Sequence, residues 1–171
     1  VFVQKPVPIY GSEQVTNGDF SQTGAEEVTN GDFATDTDWF KGTGWSISGG
    51  TANGSATLDP LRQVISGFTA GKKYKVSFEI TSITNGYIRV YSYVGASGTF
   101  TLVKAASQIG TYEVFFEFGG TNKNLMFYGS AGGGNFTGSI DNVSVKEVGQ
   151  DWTLDSGWSI GDNKSTFNLS S

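Results

Sequence analysis

From Glu26 onward the chain is a series of short runs in which apolar and polar residues alternate, broken about every ten residues by turns containing Gly or Asn. Alternation with period two marks a strand that lays one face on a core, and many such runs at this spacing indicate an all-β sandwich or barrel. The runs predict strands over 27–29, 45–48, 51–58, 61–67, 73–81, 86–94, 99–103, 110–118, 124–129 and 137–147. The longest stretch without Gly is KKYKVSFEITSITN at 72–85, whose β-branched and aromatic residues suit a strand, and helix has almost no room elsewhere. This number of strands suits an antiparallel two-sheet β-sandwich of the jelly-roll type.

Side-chain faces follow from the same alternation. Tyr74, Val76, Phe78 and Ile80 form an apolar row with Lys73, Lys75, Ser77 and Glu79 opposite. Val114, Phe116 and Phe118 point one way, and Glu113, Phe115 and Glu117 the other. Ile140, Val143 and Val145 give a core-facing last strand with an irregularity near Asp141-Asn142, and Trp45 and Ile47 plug the same core. The run 86–94 departs from the rule. Ile88, Val90 and Val94 make its core face, but the outward row is Tyr87, Arg89, Tyr91 and Tyr93 rather than small polar residues.

The chain also repeats itself. EQVTNGDF at 13–20 returns as EEVTNGDF at 26–33, and DWFKGTGWSIS at 38–48 returns as DWTLDSGWSIG at 151–161. The order predicts a linker or edge segment over 1–12, an orphan first strand and linker over 13–25, one complete module over 26–148 and the start of a second copy over 149–171. The strand at 13–20 is expected to complete that second copy, within the chain or between chains, because an unpaired edge exposes bare hydrogen-bonding groups. Trp45 and Trp158 each follow Gly and precede Ser-Ile, which predicts equivalent core positions.

Composition removes several classes of chemistry. The chain has no His and no Cys, so imidazole bases, thiol nucleophiles, disulfides and the usual zinc sites are absent. A net charge of −5 with scattered Lys and Arg argues against a nucleic-acid grip. No apolar run reaches the roughly 20 residues of a membrane-spanning helix, so no membrane insertion is expected. The opening VFVQKPVPIYG lacks the build of a signal peptide and reads as a Pro-stiffened linker or an edge strand.

A sugar site wants aromatic rings to stack on C–H faces and charged or amide groups to bond hydroxyls. Tyr87, Arg89, Tyr91 and Tyr93, with Glu79 and Glu113 on nearby strands, have that make-up; so does a subunit contact, where Tyr and Arg are also favoured. Glu113 and Glu117 lie about 13 Å apart on one strand, too far for a glycosidase pair, and the chain is expected to be non-catalytic. The run Ala131-Gly132-Gly133-Gly134 lacks the Lys-Ser/Thr of a phosphate loop and reads as a hairpin connection.

VTNGDF, GWSISGG, GKKYKVSFEI and above all GSIDNVSVKEV at 138–148 resemble the carbohydrate-binding-module jelly rolls. More narrowly, they resemble the copies repeated in tail-fibre and virion-surface proteins of tailed bacteriophages. The resemblance implies a sandwich with its first and last strands side by side and a structural calcium at that seam. Asp141 matches the final-strand carboxylate, and Asn30 and Asp32 are offered by the first-strand motif; Ala34 stands where the family has an acidic ligand. The alternative use of Asp141 and Asn142 is to satisfy backbone groups at a bulge. The expectation is a non-enzymatic module of a virion-surface protein (tail fibre, head fibre or decoration protein), homo-oligomeric, with other virion subunits and host-surface polysaccharide as partners. The alternative is a carbohydrate-binding module of a secreted bacterial glycoside hydrolase.

Overall fold

The computed structural model describes residues 15, 23–94, 100–129, 135–149, 152, 158–161 and 164–167. Its strands are β1 (Thr23–Glu26), β2 (Phe40–Lys41), β3 (Trp45–Ser48), β4 (Thr51–Thr57), β5 (Pro60–Val64), β6 (Lys73–Asn85), β7 (Ile88–Tyr93), β8 (Phe100–Ala106), β9 (Gly110–Glu117), β10 (Asn124–Gly129), β11 (Phe136–Val148), β12 (Trp158–Gly161) and β13 (Lys164–Phe167). One sheet runs β3-β4-β11-β6-β9, with β1 paired to β11; the second runs β2-β5-β10-β7-β8; β12 and β13 form a separate hairpin. Every strand pairing among the described residues is antiparallel, and the two larger sheets face each other as a jelly-roll β-sandwich.

The alternation of side chains decides what lies between the sheets. Tyr74, Val76, Phe78 and Ile80 are fully buried from one sheet, and Leu61, Ile88, Val90, Leu125 and Phe127 from the other. Phe78 and Phe127 meet edge to face across the interior at 5.4 Å. The core-facing set Ile140, Val143, Val145 has a three-residue step that strict alternation forbids. Here β11 shifts register between Asp141 and Ser144, with Asn142 in the left-handed region at φ 52°, so that both Ile140 and Val143 point inward.

The motif VTNGDF belongs to the turn after the first strand, not to the strand itself. The ladder covers 23–26 instead of the expected 27–29, because Asn30 and Phe33 both take positive φ and end the extended run. The Asn30 carbonyl accepts from Phe33 N (3.2 Å) and from the Trp39 indole (3.0 Å). Val143 N donates to the Gly31 carbonyl at 2.9 Å, an approach so close that a Cβ at Gly31 would collide with the Val143 carbonyl. Val28 and Phe33 are thereby driven into the core. The short strand β2 was not anticipated, since two residues carry no period.

The second repeat reproduces a hairpin but not its burial. In β3–β4, Trp45 pairs with Gly54 and Ser48 with Thr51; in β12–β13, Trp158 pairs with Phe167 and Gly161 with Lys164, the same register. Trp45 is buried, stacked on Phe136 of β11 at 5.7 Å. Trp158 is 46% exposed and meets Phe167 of its own hairpin at 5.1 Å, so the expectation of equivalent core positions is wrong. No counterpart of Phe136 packs on it among the described residues. The segment 13–20 lies outside the described residues except for Val15.

Candidate functional site

Because β5, β10 and β7 turn Leu61, Gln63, Leu125, Phe127, Ile88 and Val90 inward, the alternate positions face out on the second sheet. Register then sets them in rows across the strands. Phe40 pairs with Arg62, Arg62 with Met126, Met126 with Tyr91, and Tyr91 with Leu102. A second row places Pro60 beside Tyr128 and Tyr128 beside Arg89. The first row crosses five strands, roughly 19 Å at the usual strand spacing.

Within these rows the groups hold one another. The Arg62 guanidinium lies over the Phe40 ring at 4.2 Å, and its Nη1 donates to Asn124 Oδ1 at 3.1 Å. Tyr91 and Tyr128 meet edge to face at 5.5 Å. Arg89 stands over the Tyr87 ring at 5.0 Å and donates from Nη2 to the Tyr87 hydroxyl at 3.0 Å. Hydrogen bonding to the Tyr91 phenol is the main cause that raises the Arg89 pKa above its usual range. Its Nε is buried without an acceptor. Met126 is buried without belonging to the sandwich core, so it forms a floor beneath these side chains. Phe40, at 54% exposure, offers its ring to solvent. At the β2 edge a surface cavity of about 300 Å³ is lined by Thr29, Asp38, Phe40, Arg62, Gln63 and Val64. Its inner wall is fixed by buried Gln63, which donates to the Thr29 carbonyl (2.8 Å) and the Asp38 carbonyl (3.2 Å) and accepts from Thr29 N (3.0 Å).

The structure divides the residues expected from sequence. Tyr87, Arg89 and Tyr91 fall together, joined by Phe40, Arg62, Met126, Tyr128 and Leu102, which sequence reasoning missed. Alternation about Leu125 and Phe127 already turns Met126 and Tyr128 outward; what was lacking was the knowledge that β10 lies beside β7. Tyr93, by contrast, packs against the core, with its ring where a side chain at Gly120 would stand. Glu79 and Glu113 belong to β6 and β9 of the opposite sheet and do not join the tyrosines. There Glu113 pairs with Lys75 at 2.9 Å, and Glu79 accepts from Asn142 Nδ2 at 3.1 Å.

The calcium ligands expected at the seam do not fit a cation. The Asn30 carboxamide is spent on the backbone of its own loop, donating to the Thr35 and Thr37 carbonyls (2.7 and 3.0 Å) and accepting from Thr35 N (3.2 Å). Asp32 accepts from Ala34 N at 3.3 Å, and Asp141 from Asn142 N at 2.6 Å, at the bulge. Among the described residues no three carboxylates gather. The seam is closed instead by Glu26, whose Oε1 accepts from Val28 N (3.1 Å) and Val145 N (2.8 Å).

No family model and no curated protein matches the chain. Among solved structures it is similar to one described as "CBM4 structure and function", at 20% identity over 78% of this chain and 99% of that one, with a TM-score of 0.45. A mutant of a carbohydrate binding module of family 29 is 16% identical over 72% of this chain and 89% of that one, with a TM-score of 0.48. The CBM22-1-GH10 modules of the Clostridium thermocellum endo-1,4-beta-D-xylanase 10B, complexed with xylohexaose, are 13% identical over 79% of this chain and 30% of that one, with a TM-score of 0.46. At these values the likeness is one of fold. The class that the topology defines is an all-β sandwich of two antiparallel sheets. The virion-surface expectation is corrected: these similar structures are carbohydrate-binding modules, one of them joined to a xylanase, and not tail-fibre, head-fibre or decoration proteins with virion subunits as partners.

Proposed function

We propose that the chain is the carbohydrate-binding module of a secreted bacterial glycoside hydrolase, holding a polysaccharide across the outer face of the second sheet. The observation that carries this reading is the transverse row Phe40, Arg62, Met126, Tyr91, Leu102, flanked by Tyr128, Arg89 and Tyr87. Aromatic and apolar groups offer stacking surface to sugar C–H faces, while the guanidinium and phenol groups between them reach hydroxyls. The row is long enough for several sugar units, and the residues at its two ends, Phe40 and Leu102, are exposed, which suits binding within a chain. Its members sit on paired strands and brace one another, so little side-chain freedom is lost on binding.

The test is affinity electrophoresis and calorimetry against a panel of soluble plant, algal and bacterial polysaccharides, with the wild type and Tyr91→Ala. Wild-type binding to at least one polymer is expected, with a loss of roughly tenfold or more in the variant and little change in thermal midpoint. Wild-type binding that survives Tyr91→Ala unchanged would remove this face from the reading.

A further inference from the structure

The five strands of the second sheet contain no Asp or Glu in a chain whose net charge is −5. Both arginines of the chain, Arg62 and Arg89, stand on its outer face. Neither is in an ion pair among the described residues: the three pairs there, Lys41–Asp36, Lys72–Glu147 and Lys75–Glu113, all use lysine. Arg62 is bonded to the neutral Asn124 amide, and Arg89 to the neutral Tyr87 phenol. Asp38 lines the cavity beside Arg62 without pairing with it. Two strand spacings and a two-residue step separate the two arginine backbones by roughly 12 Å.

A neutral glycan gives no reason to hold two guanidiniums outside any ion pair on an acid-free five-stranded sheet of an acidic protein. Resting on our reading of this face as the glycan site, we infer that its ligand is an acidic polysaccharide bearing uronate carboxylates, taken up by Arg62 and Arg89 while the sugar rings lie over Phe40, Tyr91 and Tyr128. A guanidinium meets a carboxylate through two parallel N–H···O bonds, which a fixed planar fork does better than a lysine. Each guanidinium lies over one ring, Arg62 over Phe40 and Arg89 over Tyr87, contacts that leave the positive charge in place for an anion. The net negative charge of the protein opposes any polyanion, and more strongly the more densely it is charged, so planar carboxylates spaced along a chain suit two separated arginines better than a densely sulfated polymer does.

The experiment measures binding of the whole chain to polygalacturonate, alginate and glucuronoxylan, each beside its carboxyl-reduced counterpart, with dextran sulfate as a further arm. At least one acidic polymer is expected to bind roughly tenfold or more tightly than its reduced form, and to weaken as sodium chloride is raised. In Arg62→Gln and Arg89→Gln the ratio of acidic to reduced affinity should fall toward one. Arg62→Lys and Arg89→Lys, which keep charge and bulk but lose the fork, should give an intermediate ratio. Equal binding of acidic and reduced forms overturns the inference and leaves the glycan site standing. Binding of no glycan overturns both. Dextran sulfate bound as tightly as the best uronate overturns the choice of carboxylate.

Discussion

Two tryptophans in the same sequence context offer a sharp test of how packing, rather than local sequence, sets stability. Trp45 and Trp158 open hairpins of identical register, but Trp45 is 7% exposed and Trp158 46%. Trp45 stacks on Phe136 and donates its indole N–H to the Asp59 carbonyl at 2.8 Å. Its replacement by Ala should cost about 3–5 kcal/mol from lost burial and the cavity left behind. Among the described residues Trp158 has one aromatic neighbour, worth about 0.5–1.5 kcal/mol, and a half-wetted ring that gains little more. Urea unfolding of Trp45→Ala and Trp158→Ala, followed by far-ultraviolet circular dichroism because each substitution deletes a fluorophore, should therefore separate the two by at least about 1.5 kcal/mol at unchanged m-value. Losses within about 1 kcal/mol of each other would refute the argument that β11 makes the difference.

Gln63→Leu keeps the volume but strands the Thr29 N–H and carbonyl, so it should destabilise by about 1–3 kcal/mol in urea; a neutral result would mean that water replaces the amide. Tyr74 is fully buried, and desolvation raises its pKa above the usual 10.0 while its hydroxyl donates to the Gly67 carbonyl and accepts from Thr69 N. The unfolded chain therefore loses this proton first, so the contribution is present below pH ~10 and is lost as pH rises through the raised native value. The alkaline fall in stability should be shallower in Tyr74→Phe, and parallel curves would contradict that. Glu113→Gln breaks an exposed pair with Lys75 and should change stability by less than about 0.5 kcal/mol without touching glycan binding; a binding loss would place the site on the wrong sheet.

What the sequence made legible was whatever period two encodes. The inward rows of β6, β7, β9 and β11 were readable because each side chain's face depends on its neighbours along the chain, and even the Asp141-Asn142 bulge announced itself as a broken period. Neighbour relations between strands are not encoded that way. Glu79 and Glu113 were set beside the tyrosines because nothing in alternation says that β6 and β7, joined by a short turn, belong to opposite sheets. Half of the site was missed for the same reason: Arg62 and Met126 are ordinary outward residues until β5 and β10 are laid next to β7. Tyr93 was misplaced because the end of β7 leaves the outer face to fill the space that Gly120 leaves open. The calcium set came from resemblance alone, and here the Asn30 carboxamide is spent on its own loop.

The two sheets divide labour in their charges as well as their residues. On the first sheet, outward lysines of β6 stand opposite outward glutamates of β9, and Lys75 pairs with Glu113 at 2.9 Å. Pairs of that kind contribute little to stability, and they keep a long flat sheet soluble without giving it a preferred partner. The second sheet could have been made soluble in the same way, but it has no acids, and its exposed face carries aromatic rings and arginines at the cost of leaving Phe40 and Leu102 wetted. Folding does not require that arrangement, since the core residues of β5, β7 and β10 would pack equally well beneath an outer face of Thr, Lys and Glu. An arrangement that the fold does not need, and that exposes apolar surface to water, is best accounted for by what binds there.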